Sequence, residues 1–195
     1  MIVATTRYDD GLDPSRYRKL SFERLKEGDL PRVYSWLQAP HIREFYHRKP
    51  LPPWEQMRRH YLQRLHPDWP TKCFLSCVGK PIGYIQTYRV ADYPEYAAMI
   101  GEAEGISVDL FIGEPTYLGS GWGRLILVKF LVEVAFPLFP QEDVCWIYHE
   151  RLNQRAVRAS RAAGFQYVRN FLEDGELKEL LSLRKEDAAA RASGV

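Results

Sequence analysis

The chain of 195 residues is 46% hydrophobic and 13% aromatic, enough to bury a sizeable core in one domain, alone or with extensions. Its 27 basic and 25 acidic residues leave a net charge of +2, which lacks the clearly basic character of a dedicated nucleic-acid binder. It has no run of about eighteen apolar residues and no charged-then-apolar start of the signal-peptide kind, so a soluble, cytoplasmic protein with no membrane partner is expected.

Residues 1–18 are polar, with turn signals at Asp9-Asp10-Gly11 and Asp13-Pro14, and read as a mobile or peripheral arm. Residues 19–26 alternate and make a first strand. Gly28-Asp29-Leu30-Pro31 is a helix start, with Asp29 as the cap and Pro31 in the first turn; Val33, Tyr34 and Leu37 follow on that helix. Phe45 and Tyr46 end an aromatic and charged stretch before Pro50, Pro52 and Pro53 break the chain. A second amphipathic helix spans about 54–65. Residues 72–78 and 81–90, around Gly79-Lys80, read as a β-hairpin.

Cys73 and Cys77 in that hairpin, and Cys145 further on, have no C-x-x-C spacing; they read as buried free thiols, not a disulfide framework or zinc site. Residues 91–104 read as irregular and acidic, holding Asp92, Glu95, Glu102 and Glu104. Past the centre of the chain, 143–149 is a strand and 153–163 a helix stopped by Gly164. Residues 165–172 and 177–184 close as a hairpin around Asp174-Gly175, and 185–195 read as a frayed, Ala-rich tail.

The chain is organised around residues 105–136. Ile106, Val108, Leu110 and Ile112 alternate with other residues, as in a half-buried strand. After the loop Gly119-Ser120-Gly121-Trp122-Gly123-Arg124 the period changes, and Leu125, Val128, Leu131 or Val132, and Ala135 recur at helical spacing. The first N–H groups of a helix have no intrahelical partner and carry partial positive charge. Glycines there let a phosphate approach the backbone without meeting a Cβ, so strand, glycine loop and helix make an anion cradle. Neither G-x-G-x-x-G nor G-x-x-x-x-G-K-[ST] is present, and a glycine-rich turn that merely ends a strand fits the same residues.

The stretch Leu118-Gly119-Ser120-Gly121-Trp122-Gly123-Arg124 resembles the [QR]-x-x-G-x-[GA] pyrophosphate loop of the GNAT superfamily of acetyl-CoA-dependent N-acetyltransferases. The likeness extends to Trp36-Leu37, to Pro40-His41-Ile42-Arg43-Glu44-Phe45-Tyr46, and to Lys80-Pro81-Ile82-Gly83-Tyr84. It continues through Gly105-Ile106-Ser107-Val108-Asp109 and through Asn153-x-x-Ala156 leading to Ala163-Gly164-Phe165. In this order the matches cover most of 20–184 and look like the aminoglycoside 6'-N-acetyltransferases and the neighbouring siderophore-precursor acyltransferases.

The resemblance implies an α/β domain over residues 19–184: one mixed, mostly antiparallel sheet with splayed central strands, flanked by helices. It implies acetyl-CoA as co-substrate, without a metal. The pantetheine arm would pair with the strand edge at Leu110, Phe111 and Ile112, and the pyrophosphate would sit on the loop from Leu118 to Gly123, with Arg124 reaching a phosphate. Asn153 would help hold the arm, a role compatible with capping its helix. The acceptor would be a primary amine of a small polar molecule, served by a monomer or homodimer. A siderophore-type hydroxylamine acyltransferase and a CoA-binding module without turnover are the rival expectations.

Asp109 lies ten residues before Gly119, the spacing of the strand aspartate in the aminoglycoside enzymes. A carboxylate among apolar strand residues is costly without a task or a partner, so it is read as general base or amine anchor, or else as the partner of an arginine. Glu104, as a proton relay, and Glu102, lining the pocket, form a second acidic pair, unless both are solvated loop residues. Phe45 and Tyr46, with Trp54, form the wall of an acceptor cleft or simply pack together. His149, at the end of its strand, reads as a base with near-neutral pKa or, more often, as a structural or exposed histidine. Where the family carries a tyrosine that protonates the departing thiolate, four residues before Gly164, this chain has Ser160. Ser160 is expected to pack on its helix or hold a water.

Overall fold

The computed structural model describes residues 12–46 and 50–194; the first part of the expected arm, residues 1–11, and the last residue of the tail lie outside the described residues. In chain order the elements begin α1 (Pro14–Lys19), β1 (Leu20–Arg24), α2 (Leu30–Leu37), α3 (Pro40–Arg43), α4 (Trp54–Arg64), β2 (Lys72–Val78), β3 (Pro81–Arg89) and α5 (Pro94–Ile100). They continue β4 (Ile106–Ile112), α6 (Trp122–Phe130), α7 (Phe136–Leu138), β5 (Val144–Glu150), α8 (Gln154–Ala163), β6 (Gln166–Glu173), β7 (Glu176–Arg184) and α9 (Lys185–Ala192).

Among the described residues seven strands form one sheet in the order β1-β2-β3-β4-β5-β7-β6. Every neighbouring pair is antiparallel except β4–β5, where the connection through α6 permits parallel strands. That pair is short. Ile106 faces Cys145 and Ser107 faces Trp146, and pairing stops there although β4 runs on to Ile112 and β5 to Glu150. From Val108 onward the two central strands part, and each turns an edge that its neighbour does not pair toward the gap. The expected mixed, splayed sheet is what forms.

The period of two along the strands sorts side chains between the faces. On one face Ile85, Ile106 and Val108 lie under α6, which is buried from Leu125 through Phe130 because α8 and α9 pack against it as well as the sheet. On the opposite face there are two separate clusters. Trp36, Leu37, Met57 and Tyr61 from α2 and α4 cover Cys73, Leu75, Tyr84 and Phe111, while Val90 and Ile100 near α5 cover Trp146 and Leu180. Gln86, Tyr88 and Asp109 belong to neither and stand between them.

Four local expectations are corrected. Residues from Leu12 onward are docked: the Asp13 carboxylate caps α1 at Ser15 and Arg16, Leu12 is buried, and Lys129 Nζ donates to Tyr17 O at 2.7 Å. The tail likewise forms α9 through Ala192, anchored by the fully buried Ala188. Within 91–104, Pro94 opens α5 and Gly101, at φ +66°, closes it. Asp29 does not cap α2; its carboxylate accepts from Lys26 N–H at 3.0 Å and closes the preceding turn. Cys73, Cys77 and Cys145 are buried free thiols. No helix among the described residues is long and apolar enough to cross a membrane.

Candidate active site

The glycine loop lies between the open end of β4 and the N-terminus of α6. Gly119 and Gly121 have φ of +71° and +85°, the left-handed region that a Cβ disfavours. A Cβ built on either meets nothing within 4 Å, so both face open space. The N–H groups of Gly119, Ser120 and Gly121 bond no backbone carbonyl among the described residues, and the α6 ladder begins with Leu125 N–H to Gly121 O at 3.4 Å. A turn of unbonded N–H groups thus runs into the positive end of a helix dipole, which suits an anion.

Gly123 has a different task. It lies inside α6, and a Cβ there would come within 3.2 Å of Ala159 Cβ on α8. Its missing side chain lets two helices approach; only its N–H remains to offer a ligand. Trp122 turns its ring into the core, edge-on to Tyr117 at 5.6 Å between centroids. Arg16 secures the loop, donating from Nη1 to Ser120 O at 2.6 Å while its guanidinium lies 5.2 Å from the Trp122 ring centroid.

Leu118 and Arg124 are half-buried on either side of the glycines, Arg124 in the first turn of α6. The side chains of Leu110 and Ile112 pack on the α6 core and that of Phe111 on the opposite cluster, so these residues present backbone to the gap. Asn153 caps α8 by accepting from Ala156 N–H at 3.1 Å.

Asp109 is the first side chain on its face beyond the point where β4 and β5 part. Gln86, directly opposite on β3, donates from Nε2 to Asp109 Oδ2 at 2.7 Å. The Gln86 Oε1 accepts from Arg64 Nη1 at 3.1 Å and from Tyr84 OH at 2.6 Å, which sets the amide's orientation: oxygen toward two donors, nitrogen toward the carboxylate. Burial raises the Asp109 carboxyl above the ordinary range. Hydrogen bonds from Gln86 and Tyr88 and the charge of Arg64 pull it back, and the charge of Glu173 adds to the rise.

The charge of this carboxylate reaches several buried phenols. Tyr46, Tyr88, Tyr96 and Tyr148 are all held protonated, first by burial and next by the charge of Asp109. Tyr93, Tyr88, Tyr96, Tyr148 and Phe171 form a continuous chain of ring contacts with centroids 5.0 to 6.2 Å apart. Ser107 Oγ donates to Trp146 O at 3.0 Å, so Tyr96 OH is the donor in its 2.7 Å bond to Ser107. Tyr148 OH donates to Glu173 Oε1 at 2.9 Å.

The structure packs the Tyr46 ring on Phe111, 4.9 Å between centroids and two residues along β4 from Asp109, whose charge reaches the Tyr46 phenol; Phe45 is beside Tyr46 in the turn after α3. It does not bring in the second acidic pair. Glu102 is bound to Arg169 at 3.0 Å, and Arg169 also donates to Ile100 O, tying the end of α5 to β6. Glu104 has an exposed side chain, and its carbonyl accepts from Trp146 Nε1 at 2.9 Å. It lies at the closed end of the β4–β5 pair, five residues and roughly 16 Å of strand rise from Asp109. His149 Nε2 lies 2.7 Å from Ser160 Oγ, and burial lowers its imidazole to about 4, leaving it neutral. Ser160, expected to pack on its helix or hold a water, is buried in the structure and bonded to this histidine.

Sequence reasoning missed Arg64, Gln86, Tyr88, Tyr96 and Glu173. One signal was available: Tyr84, Gln86 and Tyr88 alternate along β3, and a glutamine inside an otherwise apolar hairpin needs a polar partner. Two open surface depressions, one beside Gly164, Gln166 and Arg191 and the other beside Asp68, Lys72 and Arg89, lie outside this cluster.

Solved structures with the same fold include an uncharacterized protein from Bacillus halodurans, at 20% identity over 89% of this chain and 88% of that one, TM-score 0.74. The aminoglycoside acetyltransferase AAC(6')-Ib in complex with coenzyme A matches at 22% identity over 89% and 99%, TM-score 0.71. Spermidine N-acetyltransferase from Vibrio cholerae, in complex with CoA and spermine, matches at 14% identity over 88% and 99%, TM-score 0.71. No curated protein sequence matches the chain. Residues 26–172 match the family model described as the acetyltransferase (GNAT) domain, and the chain belongs to that family of acetyl-CoA-dependent N-acetyltransferases.

Proposed function

We propose that the protein transfers the acetyl group of acetyl-CoA directly to a primary amine of a small polar molecule, with Asp109 as the general base. The observation that carries this reading is the Asp109 carboxyl, raised by burial, standing where the central strands part, with its charge reaching protonated phenols. A base works best when its pKa approaches the working pH, and burial moves Asp109 in that direction. The co-substrate supplies an acyl group activated as a thioester.

The loop N–H groups of Gly119, Ser120 and Gly121, with the first turn of α6 and Arg124, hold its pyrophosphate. The unpaired edge of β4 from Leu110 to Ile112 takes its amide arm, with Asn153 at the start of α8 on the other side of the gap. Tyr46 and Phe45 form the acceptor side. As the N–C bond forms and the C–S bond breaks, one amine proton passes to Asp109. A thiol has an ordinary pKa near 8.5, so the sulfur departs without a strong acid, and neutral His149 and Ser160 need not supply one. Among structural neighbours, one carries an aminoglycoside acetyltransferase name and another a spermidine acetyltransferase name, which supports a small amine as acceptor.

A thiol-release assay with acetyl-CoA against alkylamines, diamines, aminoglycosides and hydroxylamines tests the reading. Release with at least one primary amine, lost in Asp109→Asn, is expected. Tight CoA binding without release for any amine refutes it, and release with hydroxylamines alone reassigns the acceptor.

A further inference from the structure

Beside Gln86 lies a cation, Arg64, that no carboxylate among the described residues touches. Arg64, in the last turn of α4, gives one hydrogen bond, from Nη1 to Gln86 Oε1 at 3.1 Å, and its guanidinium lies 5.6 Å from the Tyr61 ring centroid. Its Nε is buried and has no hydrogen-bond partner among the described residues. Among those residues no carboxylate oxygen lies within 4 Å of the guanidinium. A guanidinium carries five N–H donors, and taking such a group out of water without an anion is unfavourable.

For orienting Gln86, Arg64 is not the sole donor. Tyr84 OH already donates to Gln86 Oε1 at 2.6 Å, which is enough to turn the Gln86 amide nitrogen toward Asp109. The acidic groups that a polycation would need are engaged elsewhere. Glu102 is bound by Arg169, and Glu173 takes Tyr148 OH and lies 3.6 Å from Lys178, itself 3.2 Å from Glu150. Among the described residues, Asp109 and Arg64 stand at the two ends of a hydrogen-bond chain of 3.1 and 2.7 Å across the Gln86 amide. The ends of that chain are at most about 8 Å apart, allowing ~2.3 Å across the amide.

We propose that the acceptor is an amine that also bears a carboxylate several bonds away, the carboxylate held by Arg64 while the amine lies at Asp109. A carboxylate on the acceptor supplies the anion that no carboxylate among the described residues gives Arg64, and the planar fork of arginine is suited to bind one. The assignment of the reacting end rests on the acetyl-transfer reading; the preference for an anion on the acceptor does not.

The test compares 6-aminohexanoate, 6-amino-1-hexanol and cadaverine, which share the amine and differ at the far end. Thiol release measures kcat/KM, and calorimetry measures binding of each amine to the CoA-saturated protein. The aminohexanoate is expected to exceed the amino alcohol by roughly 10- to 100-fold in both, the scale of one charge-assisted contact. Arg64→Met should bring the two compounds to near equality, and Arg64→Lys, which keeps the charge but not the fork, should retain part of the difference. Equal use of all three compounds, a preference for cadaverine, or a preference for the aminohexanoate that survives Arg64→Met overturns the proposal. If no amine is acetylated, the acetyl-transfer reading fails while the calorimetric preference still decides this one. If Arg64→Met does not fold, the wild-type comparison and Arg64→Lys decide it.

Discussion

Alanine at Gly121 and at Gly123 should give opposite results, because the two glycines exist for different reasons. At Gly121 the backbone sits at φ +85°, where an L side chain costs about 1–2 kcal/mol. In a chain of this length each kcal/mol lowers Tm by about 2–4 °C, so Gly121→Ala should lower it by about 2–8 °C. Its Cβ meets no protein atom within 4 Å and projects into the space a phosphate must enter, so the Kd for CoA should rise about tenfold, as for one lost charge-assisted contact. Asparagine tolerates the left-handed region, so Gly121→Asn should recover most of the stability and still bind CoA weakly.

Gly123→Ala replaces a helix-interior glycine, a gain of about 1 kcal/mol, and sets a methyl 3.2 Å from Ala159 Cβ, inside the ~3.5–4.0 Å optimum. The two effects nearly cancel, so stability should change by less than about 1 kcal/mol and CoA affinity by less than about threefold. Thermal denaturation and calorimetric titration with CoA read both quantities. Equal loss of CoA affinity in the two alanine variants, with Tm unchanged in both, would refute the division between a turn glycine and a packing glycine.

Asp109→Asn should keep CoA affinity and lower kcat by roughly 10²–10⁴, and the acid limb of the wild-type kcat/KM profile, centred above the ordinary aspartate value of about 3.9, should disappear with it. The same variant should have a higher Tm at neutral pH. Because burial raises the native carboxyl, the native state binds its proton more tightly than the unfolded chain, and the resulting penalty vanishes as pH falls below about 3.9. A Tm difference that does not close in acid would contradict this. Ser160→Ala strands the buried His149 Nε2 and should cost about 1–3 kcal/mol of stability, with kcat changed less than about tenfold; a hundredfold fall in kcat with CoA binding intact would give the serine a catalytic role. Arg16→Ala removes a hydrogen bond and a ring contact from the glycine loop and should raise the Kd for CoA roughly three- to tenfold. Unchanged affinity in calorimetry would show that the loop needs no support from α1.

Much of this protein was determined by local chemistry and could be read without the structure. The alternation of Ile106, Val108, Leu110 and Ile112 and the helical spacing after Gly121 are properties of neighbours in sequence, so strand, loop and helix were legible, as was the lone carboxylate of Asp109 among them. The terminal segments were not. Residues 12–19 and 185–192 owe their order to Leu12, Tyr17 and Ala188 finding the core around α6, and nothing local reports contacts so distant in sequence. The acidic pair misled for the same reason: Glu102 and Glu104 lie near Asp109 in sequence, yet strand rise and the Arg169 ion pair keep them away from it in space. Which polar groups meet at Asp109 was decided only in three dimensions. Sheet register sets Gln86 opposite it, the packing of α4 brings Arg64 to Gln86, and the early parting of β4 from β5 leaves room for Glu173 to influence the same carboxyl, whose charge in turn helps keep Tyr96 and Tyr148 protonated. Each of those partners comes from a different element, and their convergence depends on pairing and packing between segments that no local pattern couples.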